Sequence, residues 1–162
     1  MAVDMFLKLE GIPGESRDSK HKDEIEIESY SWGLSQSGSL AGGGGGGGAG
    51  KVSFQDLHFT TRVSKASPKL FLSCASGQHV PDATLTVRKA GQQPIEFLVY
   101  KLSDVVVSSY QQAGVAAGDD IPFDSFSINF AKIEVSYKEQ NPDGTLGTET
   151  RAGWDLKLNK GI

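Results

Sequence analysis

The chain has 162 residues, a formal net charge of −4, 38% hydrophobic residues and 22% charged residues. This length suits one domain that can bury a core. No apolar run approaches the roughly 18 residues of a membrane span. A general nucleic-acid binder needs a basic field to offset phosphate repulsion, and this chain is acidic. We therefore expect one soluble domain without membrane insertion and without nucleic-acid binding.

The N-terminus does not read as an export signal. Asp4 and Lys8 interrupt the first apolar stretch, and no basic lead-in precedes a small-residue cleavage site. Cys74 is the one cysteine, which excludes an intrachain disulfide and is typical of a protein made in a reducing compartment. We expect synthesis in the cytoplasm without a cleaved signal peptide.

Alternation with period two dominates the chain and predicts half-buried strands. The first strand has one apolar face, formed by Val3, Met5, Leu7 and Leu9. Leu85 and Val87 share a face of a later strand. A turn at Asn141, Pro142, Asp143 and Gly144 precedes a last alternating series of Ala152, Trp154, Leu156 and Leu158.

Two strands change phase along their length. Ile25 and Ile27 are out of phase with Tyr30, Trp32 and Leu34, which predicts a bulge near Glu28 and Ser29. A second change, around Ala131 and Lys132, separates Phe126, Ile128 and Phe130 from Ile133, Val135 and Tyr137. Such changes favour strongly coiled sheets, and therefore a barrel or a tight sandwich.

The segment IEFLVYKLSDVVVSSY, at 95–110, is apolar in both phases over part of its length. One face of this strand can meet the core, and the second face is then free to contact another protein.

One segment, SPKLFLSCASG, reads as a helix at about 68–76. Ser67 is predicted to cap its start, with Pro68 in the first helical position and Gly77 closing its end. The predicted buried stripe consists of Leu70, Phe71, Cys74 and Ala75.

Gly45, Gly50 and Lys51 have the spacing of a phosphate-binding loop, G-x-x-x-x-G-K. Such a loop also needs a hydroxyl residue after the lysine, a helix after the loop and a strand before it. Position 52 is Val, the following VSFQDLHF alternates as a strand, and SQSGSLAG precedes the glycines. We therefore interpret the run as a mobile loop and expect no cofactor.

Other chemical signals are weak. Cys74 and His79 could form a thiolate and imidazole pair, but nothing nearby supplies an orienting group or an oxyanion site. The histidines, His21, His58 and His79, lack zinc-site spacing, so we expect no metal. Glu24, Glu26 and Glu28 share one face of a strand, which is usually a solvated face. The chain is therefore not expected to be an enzyme.

An ordered set of segments extends from residue 1 to about residue 157. It comprises MAVDMFLKLEGIPGES, IESYSWGLSQSGS, AGKVSFQDL, SPKLFLSCASG followed by QH, TLTVRKAG, INFAKIEVSY and GWDLK. Together these segments resemble the haemolysin-coregulated protein (Hcp) family of bacterial type VI secretion systems.

The resemblance implies a mainly β fold, with two antiparallel β-sheets forming a β-barrel and one short α-helix packed alongside. It implies a single domain over residues 1–162 with an extended glycine-rich loop at about residues 36–50. Members form homohexameric rings that stack into the inner tube of the secretion machine. Their partners are further rings, a spike protein at the tip, contractile sheath proteins and small effector proteins carried in the lumen. Such proteins leave the cell through the apparatus itself, without a signal peptide.

Site residues follow from this role. The outward set of one strand is the candidate lumen wall: Glu24, Glu26, Ser29, Ser31 and Gly33. The candidate stacking loop is Gly42, Gly43, Gly44, Gly45, Gly46, Gly47 and Gly48. The strand at 95–110 is the candidate ring contact. A monomeric β-barrel that binds a small ligand or a peptide would show the same strand pattern, and it stays open as the alternative.

Overall fold

The computed structural model describes residues 2–38, 51–118 and 120–162. The first half of the chain forms β1 (Val3–Leu9), β2 (Ile25–Glu26), β3 (Ser29–Ser31), β4 (Leu34–Gln36), β5 (Val52–Phe54), β6 (Leu57–Arg62) and α1 (Ser67–Ser76). The second half forms β7 (His79–Lys89), β8 (Ile95–Ala113), β9 (Phe123–Gln140), β10 (Leu146–Asp155) and β11 (Lys160–Gly161). The predicted stacking loop, Gly42 to Gly48, lies outside the described residues.

The strands form two antiparallel sheets. The larger sheet has the order β11-β10-β9-β8-β7-β1-β2, and β6 attaches to β9 and carries β3. β4 and β5 form the second, two-stranded sheet. The prediction of a mainly β fold with two antiparallel sheets and one short helix is therefore confirmed.

The long strands β8 and β9 organise the larger sheet. They pair along almost their whole length, from Leu98 with Tyr137 to Ala113 with Phe123. The other edge of β9 has two neighbours in succession. Its first half pairs with β6, through residues such as Ile128, and its second half pairs with β10, beginning at Lys132.

The predicted phase change in β9 occurs where β9 exchanges β6 for β10. Phe130 pairs with Val105 and Lys132 pairs with Ser103, so β8 and β9 keep one register across this point. Asp104, between the paired residues of β8, has a φ of 54°. This left-handed residue shifts the phase of β8 as well, because the buried residues before it are Tyr100 and Leu102 and those after it are Val105 and Val107.

The bulge predicted near Glu28 and Ser29 is wrong in its form. The chain instead leaves one strand at Glu26 and begins the next at Ser29. Ile27 N still donates to Met5 O at 2.9 Å, and Glu28 N already donates to Thr60 O at 2.9 Å. The phase changes because the segment exchanges β1 for β6 as its neighbour.

The core lies between the curved strands. The predicted faces of β1 and β7 are confirmed where they carry Leu7, Leu9, Leu85 and Val87, which are all buried. Phe59 and Phe126 stack in the core with 5.1 Å between ring centroids. Val3, at the start of the first face, is 45% exposed.

The helix begins one residue earlier than predicted, and Ser67 is not its cap. The N-cap is Ala66, which makes no side-chain capping bond. Ser67 Oγ instead accepts a hydrogen bond from Ser64 N at 3.0 Å and donates to Asp124 Oδ2. Gly77 closes the helix with a φ of 67°, as predicted.

The predicted buried stripe of α1 is partly wrong. Leu70 is buried and Cys74 packs half-buried against the core, but Phe71 is 60% exposed and Ala75 is also exposed. The buried face consists of Ser67, Leu70 and Ser73, joined by Cys74. The buried residues of α1 therefore recur every three positions, and the small serines allow the helix to lie close to the sheet. The predicted stripe had paired neighbouring residues one turn apart instead.

The predicted turn before the last strands is confirmed. Asn141 N donates to Thr145 O at 2.8 Å, and Gly144 has a φ of 88°. Trp154 and Leu156 then pack against the core, while Leu158 is 63% exposed.

Candidate functional site

A polar surface extends across four strands on the outward face of the larger sheet. One row across β3, β6, β9 and β8 consists of Ser29, Thr60, Ser125 and Gln111. The next row consists of Ser31, His58, Ser127 and Ser109, of which Ser127 is buried beneath its neighbours. We call these eight residues the hydroxyl face. The alternation of the strands places it directly behind buried residues such as Phe59 and Phe126.

Two pairs of side chains in the hydroxyl face bond to one another. Ser29 and Thr60 share a hydrogen bond of 2.5 Å between their hydroxyl oxygens, and Ser109 and Ser127 share another of 2.5 Å. Such a surface offers hydrogen-bond donors and acceptors and carries no carboxylate, lysine or arginine among its eight residues. It is suited to weak, reversible polar contacts.

A carboxylate borders the hydroxyl face. Asp56 accepts hydrogen bonds from Ser108 Oγ at 2.6 Å and from Asn129 Nδ2 at 2.9 Å. Ser108 also contacts Ser127 at 2.8 Å. The register of β8 and β9 shifts between Val107 and Ser109, and this bulge turns both Ser108 and Ser109 toward Ser127.

The structure brings together only part of the predicted lumen set. Ser29 and Ser31 lie on the hydroxyl face. Glu26 is exposed beyond it, on the surface next to β1, and Gly33 accepts a bond from Gln55 N at 2.9 Å. Glu24 is turned away, because its carboxylate binds His21 Nδ1 at 2.9 Å.

His21 anchors the segment before β2. It is 7% exposed, and its Nε2 lies 2.7 Å from Glu96 Oε1, so its two ring nitrogens meet two carboxylates. Its ring stacks on Phe6 with 4.5 Å between centroids. The guanidinium of Arg88 lies 4.7 Å from the centroid of the Phe6 ring.

Arg88 is held by a carboxylate from the same segment. Both terminal nitrogens of Arg88 donate to Asp18, one of them at 3.0 Å to Oδ2. This hydrogen bonding lowers the pKa of Asp18 from 3.8 to about 2. The segment between β1 and β2 is therefore fixed to β7 through Arg88 and to β8 through Glu96.

Asp124 was missed by the sequence analysis. It is fully buried, and its carboxylate accepts bonds from Ser67 Oγ, from Tyr110 Oη at 2.7 Å and from Gln112 Nε2 at 3.1 Å. Burial and the bond to Asp124 raise the pKa of Tyr110. The sequence did contain a signal for the burial of Asp124, because Asp124 lies two residues before buried Phe126 and therefore on the same face of the strand. This group joins α1 to β8 and β9.

A second surface lies on the first half of β8, on the side that does not face the core. Ile95, Phe97 and Val99 are half-buried there and form the floor of a groove, and Phe97 also contacts the core at the side of the strand. Lys101 continues the same phase, and β9 and β10 add Glu134, Ser136, Lys138, Glu149 and Arg151. We call Ile95, Phe97 and Val99 the apolar strip. It is the second face of the segment that is apolar in both phases.

The weaker chemical signals are not assembled into a site. His79 is exposed and lies 3.0 Å from Asp104, and Lys51 precedes the strand β5. Gly45 and Gly50 lie outside the described residues. Within the described ranges, no three His, Cys, Asp or Glu side chains come together as metal ligands. In the same ranges, no helix is long and apolar enough to span a bilayer.

Comparisons with known proteins agree over nearly the whole chain. A family model described as "Type VI secretion system effector, Hcp" matches residues 6–137. Protein hcp1 of Pseudomonas aeruginosa is 47% identical over 161 residues, which cover 98% of each chain. The crystal structure of Hcp1 from Salmonella typhimurium has 39% identity and a TM-score of 0.84 over 100% of both chains. A type six secretion system protein has 31% identity and a TM-score of 0.93, with 99% of this chain and 100% of that chain covered.

These relatives define a class of structural, secreted type VI secretion proteins and not a class of enzymes. The chain belongs to the Hcp family.

Proposed function

We propose that this chain is the tube subunit of a type VI secretion system. It forms hexameric rings that stack into the inner tube, is itself secreted, and carries small effector proteins in the lumen. The observation that carries this proposal is the apolar strip on the longest strand, because Ile95 and Val99 do not pack against the core of the single chain and Phe97 is only half-buried against it.

The strands of one subunit close into a barrel in this proposal. The sheet already connects β1, β7, β8, β9 and β6 in order, and β3 pairs with β6. The hydrogen bonds of Ile27 to Met5 and of Glu28 to Thr60 join the remaining gap between β1 and β6. A closed barrel leaves fewer free strand edges, which favours a subunit that associates through its faces.

The apolar strip is the ring contact. Half-buried Ile95, Phe97 and Val99 lie among charged residues, the arrangement of an apolar centre with a polar rim. Ring closure uses a heterologous contact, in which two different patches of one subunit meet on neighbouring copies. The strip supplies one of these two patches.

The hydroxyl face lines the channel. Its serine and threonine side chains offer many short polar groups, and a cargo that meets them binds weakly and leaves again. The wall includes Ser29 and Ser31 of the predicted set, with Glu26 and Gly33 at its margins. Glu24 belongs to this set by sequence position, although its carboxylate is bound to His21.

The glycine-rich segment is the stacking arm. Ordering seven glycines costs roughly 10 kcal/mol in backbone entropy, so the arm needs a docking partner to become fixed. A glycine chain of about ten residues has an r.m.s. span of roughly 17 Å, which suffices to reach an adjacent ring. Deleting Gly42 to Gly48 should leave single rings intact and abolish their stacking, as seen in electron micrographs.

The remaining partners are those of the tube in the machine. They are the spike protein at the tip, the contractile sheath proteins outside and small effector proteins inside. The chain is made in the cytoplasm and leaves through the apparatus to the extracellular space or a target cell.

Mass in solution tests the ring directly. We expect size-exclusion chromatography with light scattering to give six copies for the wild type, and a lower mass for Val99→Asp. Val3→Asp is the matched control, because Val3 is an exposed strand valine outside the strip. A wild-type monomer at high protein concentration contradicts the ring and favours the ligand-binding barrel.

A further inference from the structure

The tip of the β8–β9 hairpin carries apolar side chains that the core does not use. Val115 is 79% exposed, Ile121 is 49% exposed and Phe123 is 41% exposed. Single exposed apolar residues are normal on a protein surface, but here two lie in the connection and Phe123 follows at the first position of β9. We call these three residues the hairpin tip.

The hairpin tip is held in place by its own subunit. Val63 N donates to Pro122 O at 2.9 Å, which ties the tip to the residue after β6. A Cβ atom added to Gly114 would lie 3.3 Å from Pro122 Cβ, so the two sides of the connection are in close contact. A tip fixed in this way loses little freedom when it binds.

The charges of the groove suit the charge of the tip. Arg151 pairs with Glu134 at 2.9 Å, and Glu96 is bound by His21. Lys101 and Lys138 remain beside Glu149, which also accepts a bond from Ser136 at 2.5 Å. Lys101 lies across the strand pair from Glu134, and Lys138 lies across from Glu149, but in the described ranges neither lysine reaches salt-bridge distance of a carboxylate. Asp120 lies next to Ile121 of the tip, and the sequence from 114 to 122 contains no lysine or arginine.

The groove and the tip lie at opposite ends of one hairpin. Val99 is in the first part of β8, and Val115 follows its last residue, Ala113. A strand rises about 3.3 Å per residue, so roughly 45 Å of β8 separates Val99 from Ala113. No tip residue lines the groove in the described part of the chain. A tip that occupies this groove would therefore come from another copy.

We propose that the hairpin tip of one subunit occupies the apolar groove of the next subunit in the ring. Ile121 and Val115 cover Ile95, Phe97 and Val99, while Asp120 faces Lys101 and Lys138. The inference rests on the proposed ring, and it identifies the second of the two patches that ring closure needs.

A substitution in the tip tests this contact. Ile121→Asp buries a charge against the apolar strip, and we expect the hexamer to dissociate into smaller species in light scattering at equal protein concentration. Leu158→Asp is the control, because Leu158 is 63% exposed and lies in neither patch. Unchanged thermal unfolding of the monomeric fraction separates loss of contact from loss of fold.

Cysteine crosslinking tests the same contact without relying on stability. In a Cys74→Ser background, Val99→Cys with Val115→Cys should give a ladder of covalent oligomers on oxidation, because a disulfide needs Cα atoms within about 7 Å. Val99→Cys with Leu158→Cys should give none.

The outcomes distinguish the two proposals. A wild-type hexamer that survives Ile121→Asp and gives no ladder overturns the docking of tip into groove and leaves the ring intact. A wild-type monomer overturns the ring and this contact together. A ladder from Val99→Cys with Val115→Cys, and none from Val99→Cys with Leu158→Cys, supports the docking. This result counts even if Ile121→Asp does not fold.

Discussion

The two halves of the β8–β9 hairpin show how one pair of strands can carry two unlike surfaces. In its first half, β8 turns Ile95, Phe97 and Val99 outward. In its second half, it turns Ser109 and Gln111 outward. The core side is apolar in both halves, so the contrast lies in the outward residues alone. An apolar outward face suits a permanent contact between subunits, and a hydroxyl-rich one suits transient contact with cargo.

The boundary between the two halves is a change of phase and not an interruption of the strands. Asp104 takes a left-handed conformation while β8 and β9 stay in register around it. Its carboxylate accepts a bond from Lys157 Nζ at 2.6 Å and lies 3.0 Å from His79 Nδ1. The other edge of β9 changes its neighbour near the same point, from β6 to β10. Each half of the hairpin therefore presents its own outward face.

Each half also has its own polar anchor. Asp124 attaches the second half to α1, through Ser67 and Tyr110. His21 attaches the first half to the segment before β2 through Glu96, and Asp18 fixes the same segment to the neighbouring strand β7 through Arg88. The two anchors can therefore be broken separately.

The largest expected effect on stability comes from Asp124→Ala. Bonds to a charged group contribute roughly 1.5–3 kcal/mol each, and the loss is partly offset by removing a buried carboxylate. We expect the free energy of unfolding to fall by about 3 kcal/mol in urea denaturation. Glu139→Ala, at an exposed position of the same strand, should change it by less than about 0.5 kcal/mol. Equal effects of the two substitutions would show that Asp124 is not an anchor.

The boundary is tested by comparing Asp104→Gly with Asp104→Ala. Both substitutions remove the contacts to His79 and Lys157, so their difference isolates the backbone conformation. Glycine adopts a positive φ freely, whereas alanine pays about 1 kcal/mol. Thermal and urea unfolding should show the glycine variant to be more stable by about that amount. An alanine variant of equal or greater stability contradicts the left-handed boundary.

The ion pair that fixes the segment before β2 to β7 should be sensitive to acid. The pKa of Asp18 is lowered from 3.8 to about 2 in the folded chain by its bond to Arg88. Its carboxylate therefore stabilises the fold above pH 3.8, and this contribution is lost as the pH falls through about 2.

The measurement is the urea midpoint of the wild type and of Asp18→Asn as a function of pH. The difference should be constant above pH 5 and should disappear toward pH 2, whereas exposed Glu10→Gln should show no such loss. A difference that persists unchanged to pH 2 is incompatible with this ion pair.

The smallest effect on stability, and a specific effect on cargo, is expected for Ser31→Gln. Ser31 is exposed on the hydroxyl face, so a longer side chain enters open space and changes the wall. Rings should assemble normally but retain less of a small effector of the same secretion system in co-purification. Ser53→Gln, an exposed serine of β5 outside this face, is the control. Unaltered retention by intact Ser31→Gln rings would remove Ser31 from the channel wall.

Sequence reasoning predicted the strands, both phase changes and the closing glycine of α1, because all depend on local period and turn chemistry. It did not predict the correct form of the change near Glu28, since a partner exchange depends on which strands meet in space. It wrongly placed Phe71 on the buried side of α1, because Phe71 is apolar. The orientation of the helix is instead set by Ser67 and Ser73, which lie against the sheet. It also wrongly placed Glu24 on the open wall. The contact that turns Glu24 away, with the ring of His21, forms only in the folded chain.

Cryo-electron microscopy of the purified wild-type protein tests the central claim most directly. We expect a closed six-membered ring in which the hydroxyl face, including Ser29 and Ser31, lines the channel and the apolar strip lies at each subunit boundary. A monomer at high concentration, or a ring with the apolar strip exposed and the hydroxyl face on the outside, would contradict it.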